Sequence, residues 1–291
     1  MDTANIKRTA GKVVSTLLLT CFFIFILIPF IMIILTALKT PAEINDMPNR
    51  TLLHRLLPDS WTNFSNIKAV FFGYASQLNG VPFYRFIINS LIVTFFSLFP
   101  SLILALTSAY GFAKYNFPGK TFLFYMFLGL VMIPMEMISI PLFMVVSRFG
   151  LINTYVGMMI PGFISAFGTF LLKEAFEPIP NSYIEAGRID GAGEFWIFSR
   201  IMTPLIKGPL VTFVVIKCTW SWNDFFWPLL VVSNEKMKTI TLGLSKFSND
   251  LFKEYGQLTA AVLISIVPLL LVFVFCNKNI KAGLMNAGVK G

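Results

Sequence analysis

The sequence predicts an all-α integral membrane protein with six transmembrane helices, and three observations carry that prediction. The first is composition. Of 291 residues, 56% are hydrophobic and only 13% are charged, with a mean hydropathy of +0.75. A soluble domain carries about 25% charged residues. Halving that share and adding 32 phenylalanines makes lipid the main solvent. The second is run length. A helix rises about 1.5 Å per residue, so roughly 20 apolar residues cross the hydrocarbon core, and six runs reach that length. The third is a single interruption. Between two of these runs lies a polar, glycine-punctuated stretch, Glu185 to Pro204, far longer than a bare connection needs.

The elements follow in order. Residues 1–13 carry Lys7, Arg8 and Lys12 ahead of an apolar run at about 14–37. A signal-peptide core is about 7–15 residues, so this longer run is expected to stay as the first span. The segment 39–85 is rich in Pro, Asn and charge. It predicts short helices and turns on the outer side. Its two Asn-x-Ser/Thr triplets, at Asn49 and Asn63, are short patterns that arise often by chance. Further spans are expected at about 88–113, 120–146, 153–173, 206–231 and 258–277, followed by a tail at 278–291. Prolines inside or beside the runs, such as Pro29, Pro134 and Pro268, predict kinks that neighbouring helices satisfy. One domain, 14–277, is thus expected, with a core at about 85–277 and an internal loop at 178–204.

Charge sets the expected orientation. The basic N-terminal cluster and the tail lysines Lys278, Lys281 and Lys290 put both ends in the cytoplasm by the positive-inside rule. Six spans require both ends on one side, which agrees. The loop between spans four and five is then cytoplasmic. The net charge of +9 serves topology and anionic head groups and does not imply nucleic acid.

Several chemistries are not supported. Cys21, Cys218 and Cys276 lie in apolar runs with no metal or haem spacing, and read as small buried hydrophobes. The only histidine, His54, cannot build a metal site with them. There is no phosphate-binding Gly-rich loop and no nucleophile elbow. The chain is expected to be non-catalytic and to bind neither metal nor cofactor itself.

The interruption reads as a helix–turn–helix. Asn181 and Ser182 are good N-cap types, and Glu185 suits the first turn of a helix. Tyr183, Ile184, Ala186 and Ile189 keep helical spacing until Asp190-Gly191-Ala192-Gly193 breaks it. Phe195, Trp196, Phe198, Ile201 and Met202 form a second helical pattern, which Pro204 is expected to stop. Such a unit can pack on its own membrane domain, or it can be a docking knob for a soluble partner. The residue chemistry weighs the two readings evenly.

The same residues resemble the signature loop of ABC-importer permeases. In that family Glu-Ala-Ala is followed after three residues by Gly, and after nine more by Ile-x-Leu-Pro. Here Glu185-Ala186-Gly187, Gly191 and Ile201-Met202-Thr203-Pro204 keep the spacing, with Gly187 and Thr203 as departures. Asp190-Gly191-Ala192 matches the family's Asp-Gly-Ala. Asn89-Ser90, Ala109-Tyr110-Gly111-Phe112-Ala113, Ser221-Trp222-Asn223-Asp224-Phe225 and the tail from Gly283 to Gly291 are similar to the carbohydrate branch that looks like the second permease of the maltose transporter. The resemblance covers about 75–291.

The resemblance implies a permease subunit of an ATP-driven, binding-protein-dependent importer in a bacterial inner membrane. It would pair with a second permease, dock two ATPase subunits that bind ATP and Mg²⁺, and receive sugar or oligosaccharide from an extracytoplasmic solute-binding protein. Glu185, Ala186, Gly187, Asp190, Gly191, Ile201 and Pro204 are the expected ATPase-docking residues, and Gly288 and Lys290 the expected tail contacts. Polar groups inside spans mark pathways, which singles out Asn223, Asp224 and Trp222 in span five and Glu136 in span three. Lys217, deep in span five, needs a partner or a wet cavity, and Glu136 is a candidate partner. Glycerol phosphate, a polyol or an acidic saccharide is the alternative cargo, and a proton-coupled carrier the alternative class.

Overall fold

The computed structural model describes residues 3–248 and 254–288, with side chains described for 11–247 and 254–275. Among the described residues every regular element is helical. Three helices are long and apolar enough to cross a membrane: Gly11–Ala37, Phe83–Lys114 and Tyr255–Phe275. Three bent helix pairs raise the number of candidate spans to six if each pair is one span. The six expected runs are thus present as helix, but only half of them are straight.

Each bend has a local cause. Lys120–Met132 and Met135–Arg148 meet at 98°. Between them Ile133 is extended (φ −87°, ψ 114°) because it precedes Pro134, whose ring disfavours helical backbone in the residue before it. Tyr155–Gly162 and Ala166–Phe176 meet at 43°. There Ser165 leaves the helix and caps the next one, its Oγ accepting from Gly168 N at 3.0 Å. Glu194–Leu205 and Lys207–Asn223 meet at 84° across Ile206. The expected fifth span at 206–231 is also broken once more. Its helix stops at Asn223, Asp224 is extended, and a short helix Phe226–Val231 resumes.

The described residues fall into two compact units, Met1–Phe83 with Leu244–Ser265 and Tyr84–Gly243 with Ile266–Gly291. In the first unit the helix Thr3–Ala37 keeps most of its described apolar surface exposed, and only its last turn, at Leu35 and Ala37, is buried. Cys21 therefore lies exposed on it, not buried as expected, because no other described element covers that face. The helix ends in an ordered cap. Asn66 Nδ2 donates to Ala37 O at 3.0 Å and Lys39 O at 2.7 Å, and Asn63 Nδ2 to Leu38 O at 2.9 Å. These bonds satisfy carbonyls that a helix end leaves without partners. Thr40 and Glu43 then form a reciprocal capping box that starts the short helix Pro41–Asn45. Arg50 pairs with Asp59 at 2.7 Å, and the buried Lys39 ammonium donates to Arg55 O. Short helices Leu52–Leu56 and Ser65–Phe72 complete this segment, matching the expected mixture of turns and short helices.

In the second unit two buried clusters hold the helices together. One gathers Ala105, Ala109 and Tyr110 with Leu172, Phe176, Phe213 and the apolar face of the interruption. The other gathers Val93, Val146, Met158, Met159, Trp227 and Leu242. Each fully buried Leu, Ile, Met or Phe side chain contributes about 1.5–3 kcal/mol relative to exposure in water.

Candidate functional site

The interruption folds as the spacing predicts, and it has two faces. Its first helix is Ser182–Ile189, with Glu185 in the first turn. Asp190 ends it, and Gly191 turns the chain at φ +78°, a conformation open to glycine at no steric cost. The second helix begins at Glu194. Ile184, Ile197 and Met202 point inward and pack on Tyr110, Leu172 and Phe176. Gly187 belongs to this inward side. A Cβ there would come within 3.0 Å of both Ile197 Cγ1 and Ile201 Cδ1, so Gly187 lets the island's own two helices touch. The opposite face is open. Ile189 is 86% exposed and Phe195 80%, with Tyr183, Trp196, Glu185, Ala186, Asp190 and Gly191 also exposed.

Pro204 does not stop the second helix. The segment Ile197–Met202 is a π-helical turn, and Pro204 lies in the α-helical turn Thr203–Leu205 that follows. Pro204 has no N–H to give to the carbonyl four residues back, and its ring clashes with that carbonyl in a regular helix. The wider turn relieves the clash. Thr203 Oγ1 donates to Phe198 O at 2.8 Å, occupying a carbonyl that the wider turn frees. The chain leaves the helix two residues after Pro204, at Ile206. Ile201 is half-buried and Pro204 exposed.

One carboxylate ties the island together. Glu194 Oε1 accepts from Arg188 Nε at 2.7 Å, and Glu194 Oε2 accepts from Tyr115 Oη at 2.5 Å. Arg188 is on the island's first helix, Glu194 on its second, and Tyr115 on the loop after the helix Phe83–Lys114. The Arg188 bond, and then the Tyr115 bond, hold the Glu194 carboxyl below the usual carboxylate range. The same bond to Glu194 pushes the Tyr115 phenol up. At the neighbouring edge, the Lys114 ammonium donates to Ile179 O and, at 3.3 Å, to Glu177 O. The sequence reading missed Tyr115 and Glu194 because nothing in their local spacing marks them.

A second site lies where spans four and five break. A pocket of about 540 Å³ is lined by Ser97, Lys217, Ser221, Asn223, Asp224 and Trp220, and further by Met135, Gly162 and Trp227. Lys217 is only 8% exposed. Its ammonium lies against Gly162, where a Cβ would come within 3.0 Å of Nζ. That is the C-terminal end of the half-helix Tyr155–Gly162, whose dipole favours a cation. Asp224 is the carboxylate that acts electrostatically on Lys217. Its Oδ1 accepts from Trp227 N at 3.4 Å, at the start of the half-helix Phe226–Val231, where an anion is favoured. Ser97 Oγ and Ser221 Oγ meet at 3.2 Å, and Asn223 Nδ2 donates to Thr219 O at 2.9 Å. Trp227 Nε1 donates to Gly157 O at 3.0 Å, leaving its indole wedged behind the pocket.

The expected pathway residues divide. Asn223 and Asp224 share the pocket. Trp222 is buried to the side, and its neighbours Trp220 and Trp227 supply the lining rings. Glu136 is exposed in the first turn of Met135–Arg148 and lies outside the pocket, although Met135 beside it reaches in. Lys217 thus sits with Asp224 and not with Glu136. Ser97 was not foreseen, yet a signal exists. Ser90, Thr94, Ser97 and Ser101 fall at helical spacing along one buried side of an apolar span. In the tail, Gly288 ends the helix Tyr255–Gly288 and has no described side-chain surroundings, while Lys290 lies outside the described residues. Among the described residues no cluster of His, Cys, Asp or Glu could hold a metal.

Comparison with known proteins adds four findings. The family model described as "Binding-protein-dependent transport system inner membrane component" matches residues 3–284. The arabinooligosaccharides transport system permease protein AraQ of Bacillus subtilis (strain 168) is 30% identical over 277 residues, covering 94% of this chain and 95% of that one. The sn-glycerol-3-phosphate transport system permease protein UgpE of Brucella suis biovar 1 is 29% identical over 281 residues, covering 96% and 98%. The fold matches a chain in the crystal structure of a bacterial ABC transporter involved in the import of the acidic polysaccharide alginate. The TM-score is 0.78 at 24% identity, covering 96% of this chain and 98% of that one.

Proposed function

The chain belongs to the binding-protein-dependent transport system inner membrane components, and from that premise we infer that it is the permease subunit through which ATP hydrolysis by docked partner subunits drives uptake of a carbohydrate. It pairs with a second permease and receives cargo from a solute-binding protein on the outer side. Both termini and the island at 185–204 face the cytoplasm. ATP and Mg²⁺ belong to the partner ATPases. The tail from Gly288 to Lys290 is a second contact with them.

The observation that carries this reading is the two-faced island. A loop that only packed on its own domain needs one apolar face, and Ile184, Ile197 and Met202 supply it. The other face keeps Tyr183, Ile189, Phe195 and Trp196 exposed around Glu185, Ala186, Asp190 and Gly191. Exposed aromatic rings around a charge suit a protein contact. Glu185 offers a carboxylate for charge-assisted hydrogen bonds. Gly187 acts from behind by keeping the two island helices in contact. Movement of the docked ATPase cleft is carried by this rigid element to the helices Phe83–Lys114 and Lys207–Asn223. Carbohydrate is favoured as cargo by the name of the AraQ relative, and the UgpE relative keeps glycerol phosphate as the second reading.

The test is coupling. Glu185→Lys and Gly191→Trp are expected to insert and to co-purify with the second permease, while ATP hydrolysis no longer drives transport in proteoliposomes. Wild-type transport by Gly191→Trp overturns the docking assignment.

A further inference from the structure

The pocket at the breaks of spans four and five carries more than a path. We propose that this chain itself holds a cargo site there, selective for neutral polyhydroxyl compounds over anionic ones, with Lys217 and Asp224 as its paired donor and acceptor. The proposal rests on the importer reading and deepens it by naming the class of cargo this subunit contacts.

Three observations lead to it. First, ionisable groups inside apolar helices are costly and mark pathways. Here two of opposite sign face one cavity of about 540 Å³, within the range of about 300–1,000 Å³ typical of small-molecule sites. Second, the charges balance. Lys217 and Asp224 are the only ionisable groups among the lining residues, so the cavity is neutral. An anionic cargo would meet the Asp224 carboxylate and gain no net attraction. A hydroxyl can both accept from the Lys217 ammonium and donate to the Asp224 carboxylate, so a polyol satisfies both charges at once. Third, the remaining wall matches a sugar. The Ser97 and Ser221 hydroxyls, 3.2 Å apart, exchange donor and acceptor roles freely. The Asn223 amide is anchored through Nδ2 to Thr219 O, which orients its carbonyl oxygen. Trp220 is half exposed, held at 5.2 Å from the Phe167 ring, and offers an apolar face for sugar C–H groups.

Both charges sit at helix breaks, Asp224 held by a backbone N–H and Lys217 packed against Gly162, so they are in place before cargo arrives. Lys217 sits at the end of Tyr155–Gly162 and Asp224 at the start of Phe226–Val231. Pre-set donors and acceptors lower the ordering cost of binding.

The experiment uses the full importer complex in nanodiscs. A reporter thiol, Met135→Cys, on the pocket wall but outside the proposed contacts, is placed in a chain whose Cys21, Cys218 and Cys276 are changed to Ala, and its maleimide labelling rate is measured. Arabinobiose and diacetylchitobiose serve as neutral probes and glycerol 3-phosphate as the anionic one. At least one neutral probe is expected to slow labelling several-fold, and glycerol 3-phosphate to leave it unchanged. Lys217→Met is expected to abolish the protection. Asp224→Asn keeps the acceptor for Trp227 N but leaves Lys217 uncompensated, and is expected to transfer protection to glycerol 3-phosphate. Should either variant fail to assemble, Ser97→Ala is expected to weaken protection by the neutral probe. Protection of the parent chain by glycerol 3-phosphate, no protection by either neutral probe, or protection indifferent to these substitutions overturns the proposal. Failure of the importer reading is seen separately, as transport in proteoliposomes that Glu185→Lys leaves fully coupled to ATP hydrolysis.

Discussion

The island and the pocket handle charge in opposite ways. On the island, Arg188, Glu194 and Glu185 are exposed, and water offsets most of what the Arg188–Glu194 ion pair contributes. In the pocket, Lys217 and Asp224 lie among apolar helices, and each depends on a helix end and on the other charge. Island charges can therefore be arranged for a partner with little effect on the fold. Pocket charges bear on the fold itself as well as on the cargo site proposed there. On the functions proposed for them, the difference separates a coupling surface, whose loss would spare the subunit, from a cargo site, whose loss would strain it.

The sharpest way to break this contrast is on the island's inward face. Ile197→Ala removes a fully buried side chain and is expected to lower stability by about 2–5 kcal/mol, read as earlier thermal unfolding of the purified complex. Phe195→Ala, a comparable loss on the open face, is expected to leave unfolding unchanged while reducing ATPase coupling. Equal destabilisation by both would erase the two-faced description.

A smaller effect tests the pocket pair. Lys217→Met and Asp224→Asn are each expected to destabilise the subunit, and the double variant less than their sum. The coupling should be about 0.5–3 kcal/mol in a double-mutant cycle. Strict additivity would show that the two charges do not support each other.

The smallest expected effect is at the island clamp. Glu194 has its carboxyl lowered by Arg188 and then Tyr115, so its contribution is present above the ordinary glutamate range and is lost as pH falls through the lowered value. Amide exchange across 182–196, taken relative to the intrinsic exchange rate at each pH, is expected to be flat near neutral pH and to rise only in acid. Glu194→Gln should remove that acid-dependent step. A rise centred near neutral pH would assign it to another group.

Much of the island was legible in the sequence because its geometry is local. The spacing from Glu185 to Gly191 to Pro204 gave two helices and a turn, and the positive φ at Gly191 favours a residue without Cβ. The role of Gly187 was not legible. A small residue invites a partner's backbone as readily as a neighbouring helix, and only the positions of Ile197 and Ile201 decide. The effect of Pro204 was misjudged for a related reason. A proline removes one hydrogen bond, and a widened turn with Thr203 bonded to Phe198 absorbs that loss before the chain breaks at Ile206.

By itself the sequence determined the solvent, the helical class, the candidate spans and the helix–turn–helix of the island, since composition, run length and short-range spacing are properties of the chain. Tertiary structure alone decided which polar groups meet. Ser97, Gly162, Lys217 and Asp224 come from three separate stretches of chain, and Glu136, the partner the sequence offered for Lys217, ends up elsewhere. The bends at Pro134, Ser165 and Asn223 bring those stretches together. A buried charge is held by whichever opposite charge and helix end the packing brings near, and that proximity has no counterpart in residue spacing.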